Sequence, residues 1–219
     1  MKKTIALLTA AIVLAGCLFT GCKKEEPVPY QAEKELFSTL DRDQVLSLAE
    51  KRGYSVDQPE DPDLLCIYNA PCLGYDAQYL YRFSPDAATP DWKPHQISVT
   101  LCLFGYSKQD FTVPNDYTPA ELNQKIHQVL GDLCRMHGVT LNEDFFIFQG
   151  ETRLDNTDDD SYALLKDGSA YLEFYLRDAD DCFWSTYLQI MPDGSAFLII
   201  EKAMFSESYA DKIPNISVG

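Results

Sequence analysis

Apolar residues recur along this chain with two periods, one near 3.6 residues and one of 2, and their succession predicts helix, strands, helix, strands. Between Asp41 and Arg52, Val45, Leu48 and Ala49 share a helical face, Asp41 and Gln44 are spaced as an N-cap and its reciprocal partner, and Gly53 is placed to end the helix. Residues 34–40 can add a turn before it. Three strand-like runs follow. Leu64 to Tyr68 is short and apolar, Ala77 to Phe83 sets Tyr79, Tyr81 and Phe83 against Gln78 and Arg82, and Ile97 to Tyr106 sets Ile97, Val99, Leu101 and Leu103 against Ser98, Thr100 and Cys102. The stretch from Ser84 to Pro94 carries three prolines and is a loop.

A second helix begins at a capping box, Thr118-Pro119-Ala120-Glu121, and Leu122, Ile126, Val129, Leu133 and Met136 repeat at helical spacing as far as Gly138. Beyond it come an apolar piece at Phe145 to Phe148 and an acidic loop at Asp155 to Asp160. Two hairpins are then expected from their Asp-Gly turns. Asp167-Gly168 joins Tyr162–Leu165 to Ala170–Arg177, and Asp193-Gly194 joins Phe183–Met191 to Ala196–Lys202. Helices and strands do not alternate one for one, so the class is α+β, an antiparallel meander packed by two amphipathic helices. The halves 34–106 and 118–203 share the order helix then meander, which allows two tandem modules within one domain at 34–219.

Composition narrows the function. The 219 residues carry 18 Lys plus Arg against 34 Asp plus Glu, a formal charge of −16, which would repel phosphates and excludes a nucleic-acid partner. The sequence holds no G-x-S-x-G elbow, H-E-x-x-H helix, phosphate loop or dinucleotide fingerprint, and nothing in it asks for a cofactor.

The N-terminus supplies the strongest motif. Met1-Lys2-Lys3 is cationic, Thr4 to Leu14 is apolar but too short to span a bilayer, and Leu14-Ala15-Gly16-Cys17 is followed by Phe19-Thr20-Gly21-Cys22 and then Lys23-Lys24-Glu25-Glu26-Pro27. Small residues before a Cys at the end of such a run resemble the lipobox of bacterial lipoproteins. The resemblance implies cleavage before a diacylated Cys and attachment to the extracytoplasmic face of a membrane, with the bilayer as one partner. Either Cys22 or Cys17 can take the lipid: Cys17 has Leu three residues before it, while Cys22 leads directly into a polar tether. With Cys22 lipidated, residues 1–21 are the signal peptide and 22–33 the lipidated Cys and tether.

For the folded part, the sequence points to binding. If Leu172, Phe174 and Leu176 face the core, Tyr171 and Tyr175 face away from it, and with Tyr79 and Tyr81 they would form a tyrosine-lined sheet face for a protein or glycan partner. The alternative is a cell-envelope hydrolase using a carboxylate pair. Three further constellations are weaker. The acidic run at Asp155 to Asp160, with Asp178, Asp180 and Asp181, has the oxygen chemistry of a calcium site but departs from the EF-hand pattern. His127, Cys134 and His137 share one helix, where core packing competes with metal ligation, and Cys66 and Cys72 are close enough to bridge a short loop.

Overall fold

In a computed structural model of the protein, which describes residues 30–61, 63–83, 94–105, 117–138, 145–178, 180 and 182–204, both capping boxes form. Asp41 accepts the Gln44 N–H at 2.8 Å while Gln44 accepts the Asp41 N–H at 3.0 Å. Thr118 and Glu121 make the same exchange at 3.2 and 2.7 Å. The helices they open, α2 (Arg42–Arg52) and α3 (Pro119–Met136), follow a short α1 (Gln31–Leu36) and precede α4 (Asp159–Lys166). Helix α1 starts at Gln31, inside the stretch read as tether. Cys17, Cys22 and residues 23–29 lie outside the described residues.

The strands are β1 (Ser55–Asp57), β2 (Leu64–Cys72), β3 (Tyr75–Phe83), β4 (Pro94–Phe104), β5 (Phe145–Gln149), β6 (Thr152–Leu154), β7 (Tyr171–Arg177), β8 (Cys182–Ile190) and β9 (Ala196–Met204). They form one sheet in the order β1-β2-β3-β4-β9-β8-β7-β5-β6, with each neighbouring pair antiparallel. The class is α+β. The first half contributes β1-β2-β3-β4 in sequence order, and the second contributes β5-β7-β8-β9 with β6 outside β5. The two runs meet through their last strands, β4 and β9.

Two local readings of the sequence need correction. The strand read at Leu64 to Tyr68 runs on to Cys72, and Leu73 and Gly74, both at positive φ (51° and 86°), close a two-residue turn that joins β2 directly to β3. Leucine is an unusual occupant of that conformation, and its N–H donates to the buried Glu33 carboxylate of α1 at 3.2 Å, which ties the turn to the helix. The second correction concerns Tyr162–Leu165, which is part of α4 and not a hairpin strand. Asp158 caps that helix, and Ser161, Tyr162 and Leu165 bury one helical face. Gly168 (φ 80°) ends it while the Ser169 and Ala170 N–H groups reach the Leu164 carbonyl. A left-handed glycine after Asp serves a helix terminus as well as a hairpin. At Asp193-Gly194 the expected hairpin does form, with Met191 N–H donating to the Ser195 carbonyl at 2.8 Å.

One face of the sheet makes the core with the helices. Tyr79, Tyr81, Phe83, Ile97, Val99, Leu101, Leu198, Ile200 and Trp184 are all buried there. The Tyr81 hydroxyl donates to the Leu36 carbonyl at 2.8 Å, and Phe37 meets Trp184 edge-on at 4.7 Å and Tyr79 at 5.4 Å. A bulge between Cys102 and Phe104 brings Phe104 opposite Ala196, where Lys125 of α3 lies 4.6 Å over its ring.

Two glycines should respond oppositely to alanine. Gly105 has φ 131°, and a Cβ there would sit 2.6 Å from Ser195 Oγ and 2.8 Å from its Cβ, whereas Gly131 is helical with nothing within 4 Å. In urea unfolding, Gly105→Ala should lose roughly 2 kcal/mol or more. Gly131→Ala should gain about 0.5–1 kcal/mol.

Candidate binding face

Strand alternation gives the sheet a second, outer face, and the pairing register lays its residues in rows. One row runs Cys66, Leu80, Ser98, Glu201, Ser185, Tyr175, and the next runs Leu64, Arg82, Gln96, Ala203, Phe183, Arg177. Cys66 and Phe183 are buried, and the others are half-buried or exposed. At the centre Glu201 accepts hydrogen bonds from Gln96 Nε2 at 3.0 Å and Ser98 Oγ at 3.1 Å.

Aromatic rings flank this polar centre. Tyr175 stacks on Phe183 at 5.5 Å, Phe148 stacks on Tyr171 at 5.6 Å, Phe146 adjoins Phe148, and the Arg153 guanidinium sits 4.0 Å over Phe146. Tyr171 is 47% exposed and Tyr187, opposite Ile199 in the register, is 41% exposed. Burial raises the pKa of both Tyr175 and Tyr187, and the neighbouring carboxylates Glu173 and Glu201 respectively push in the same direction. The phenols are therefore neutral near pH 7. Flat apolar area with hydroxyl tips, beside a carboxylate, an amide and serine hydroxyls, suits contact with a polar macromolecular surface.

The four tyrosines singled out from sequence divide two and two. Tyr171 and Tyr175 lie on the outer face, whereas Tyr79 and Tyr81 are fully buried on the opposite side, with their hydroxyls donating to the Pro71 and Leu36 carbonyls at 2.8 Å. Tyr187, whose alternation with buried Thr186 and Trp184 is legible in Phe183–Met191, was not singled out.

The described members of the remaining constellations make structural contacts, and Asp181 lies outside the described residues. Asp155 accepts the Thr157 N–H and hydroxyl, Asp158 accepts the Asp160 N–H, and the acidic run thereby builds the entry to α4. Asp178 accepts the Cys182 N–H at 2.9 Å and Trp184 Nε1 at 2.7 Å. His127 of α3 packs edge-on against Phe145, and His137, which caps the end of α3, packs against Trp184. Among the described residues no three His, Cys, Asp or Glu side chains are grouped to hold a metal, and the cysteines form no disulfide. Glu201 has serines as cross-strand neighbours on both sides, so no second carboxylate stands directly opposite it.

Two measurements check these assignments. Tyr81→Phe should cost about 1–2 kcal/mol in urea unfolding by stranding the Leu36 carbonyl, while Tyr187→Ser should change stability by less than about 0.5 kcal/mol. The second concerns His137, whose buried Nε2 has no hydrogen-bond partner among the described residues and whose pKa is lowered, chiefly by burial and further by Lys202 and Lys34, against Asp178 and Asp180. The unfolded chain takes up this proton first, near pH 6.5. The contribution from keeping the ring neutral is therefore fully present above ~6.5 and lost as pH falls through the lower folded value. His137→Gln should flatten the decline in stability measured between pH 7.5 and 5.5.

No protein-family model, curated protein or solved structure matches the chain.

Proposed function

We propose that this protein is a lipoprotein, held on the extracytoplasmic face of a membrane through Cys22 or Cys17, and that it acts by binding a protein or glycan through the outer face of its sheet. The location rests on the lipobox-like sequence at the N-terminus. Two acyl chains on one cysteine suffice for stable anchoring. Among the described residues no helix is long and apolar enough to cross a membrane. The binding role rests on one observation: Tyr171 and Tyr187 expose nearly half their surface on a face that also carries two stacked aromatic pairs and the Glu201 cluster. Tyrosine spends little side-chain entropy when it is fixed in an interface, so exposed rings of this kind are efficient contact groups.

Two experiments on the full chain test the proposal. Metabolic labelling with a palmitate analogue should mark the wild type, and either Cys22→Ser or Cys17→Ser should abolish the mark, naming the anchored residue. An unlabelled wild type, or a label surviving in the double variant, would contradict the anchor. A photo-cross-linking amino acid placed at Tyr187 or Tyr171 should capture a discrete envelope component in the cells that make the protein, and one at exposed Gln128 of α3 should not. Capture from neither tyrosine position, or equally from Gln128, would contradict the face.

A further inference from the structure

The sheet has two edges, and they are finished differently. At β6 the edge is three residues long and its Arg153 is drawn over the Phe146 ring. At β1 the edge is also three residues long, all exposed, but a helix runs beside it. Helix α2 buries Val45 and Ala49, and its opposite side, Asp43, Leu46, Ser47 and Glu50, forms an open, shallow groove with Tyr54, Val56 and Gln58. Val56 stands opposite Ile67, which places it on the helix side of the sheet, and it is 37% exposed. Among the described residues nothing pairs with the outer edge of β1.

A short charged edge strand is ordinarily a defence against unwanted pairing. Here the charge is of one sign. Asp43 and Glu50 line the groove, Asp57 ends β1, and Glu60 and Asp61 follow it, all but Asp61 and Glu60 within the strand or its flanking helix. None of the basic residues of α2 lines the groove, and Arg52 is paired with Glu35. From Asp43 to Glu50 the helix rises about 10 Å at ~1.5 Å per residue, and from Ser55 to Asp57 the strand advances about 7 Å at ~3.3 Å per residue. Helix and strand therefore frame a short slot.

We propose that this slot binds an extended cationic segment of another protein, which adds as a strand to the outer edge of β1 beneath α2. Main-chain hydrogen bonds to β1 would hold the segment, an aliphatic side chain would seat on Leu46 and Val56, and Lys or Arg two positions to either side would reach Asp43 and Glu50. Side chains two apart on a strand face the same way, so the implied pattern is basic, any, aliphatic, any, basic. The slot is separate from the tyrosine-bearing face, and its failure would leave that reading untouched.

The test is a titration of the full chain in detergent with acetyl-Gly-Lys-Thr-Val-Thr-Lys-Gly-amide, followed by NMR and by amide hydrogen exchange at residues 55–57. Saturable binding should shift and protect these amides. The peptide with Glu in place of both Lys should bind at least fivefold more weakly, and N-methylation of its Val amide and neighbouring Thr amides should abolish protection. Asp43→Lys with Glu50→Lys should weaken binding about fivefold, since exposed ion pairs contribute modestly. Binding of the Glu peptide as tight as the Lys peptide, shifts confined to other surfaces, or indifference to N-methylation would overturn the proposal. The N-methyl comparison uses the unaltered protein, so it decides the matter even if the charge-reversed variant folds poorly.

Discussion

The pairing of β4 with β9 is the constraint on which the rest of the structure depends. It joins segments that are far apart in sequence, as in the contact between Ser98 and Glu201, 103 residues apart. Without it the chain is two meanders, each with an uncovered apolar edge. Closing a loop of that length costs about 4 kcal/mol in chain entropy beyond a constant. Full burial of two of the side chains lining the ladder, at about 1.5–3 kcal/mol each, offsets this. Ile97, Val99 and Leu101 on β4 and Leu198 and Ile200 on β9 are all buried, so the ladder is favourable with margin. The same ladder sets the centre of the outer face, because the register that aligns those aliphatics also aligns Ser98 with Glu201, and the adjoining β8–β9 ladder adds Ser185 to the row.

Local signals in the sequence were legible where one local device decides the outcome. The boxes at Asp41 and Thr118 mark their helices because the capping residue and its reciprocal partner lie within one turn. The Asp-Gly at 193–194 closes a hairpin because alternating strands flank it, whereas the one at 167–168 follows a segment whose buried positions, 161, 162 and 165, have helical spacing. Strand parity was readable along β3, but which parity faces the helices is set by partners distant in sequence. Phe37 and the Leu36 carbonyl claim Tyr79 and Tyr81 for the core, and no local pattern announces that. The three-residue edges β1 and β6 are too short to carry a period at all.

Different parts of one sheet carry different groups. Its inner face is spent on stability, with aromatic rings fixed against α1 and α3. Its outer face keeps polar and aromatic groups half-exposed around Glu201, and its β1 edge offers main-chain groups beside an acidic helix flank. A formal charge of −16 favours partners that are neutral or cationic over nucleic acid. An acylated cysteine ahead of the fold would confine these surfaces to the membrane region and raise the local concentration of any partner anchored there.

The central claim is that the outer face is a working surface and the inner face is not. Hydroxyl-radical footprinting of the full-length protein, read by mass spectrometry, tests it in two settings: in the cells that make the protein, and after purification in detergent. The account predicts that Tyr171 and Tyr187 are oxidised in the purified protein and protected in the cells, while Tyr79, Tyr81 and Tyr162 are protected in both. Equal oxidation of Tyr171 and Tyr187 in the two settings would contradict it, as would ready oxidation of Tyr79 and Tyr81 in the folded protein.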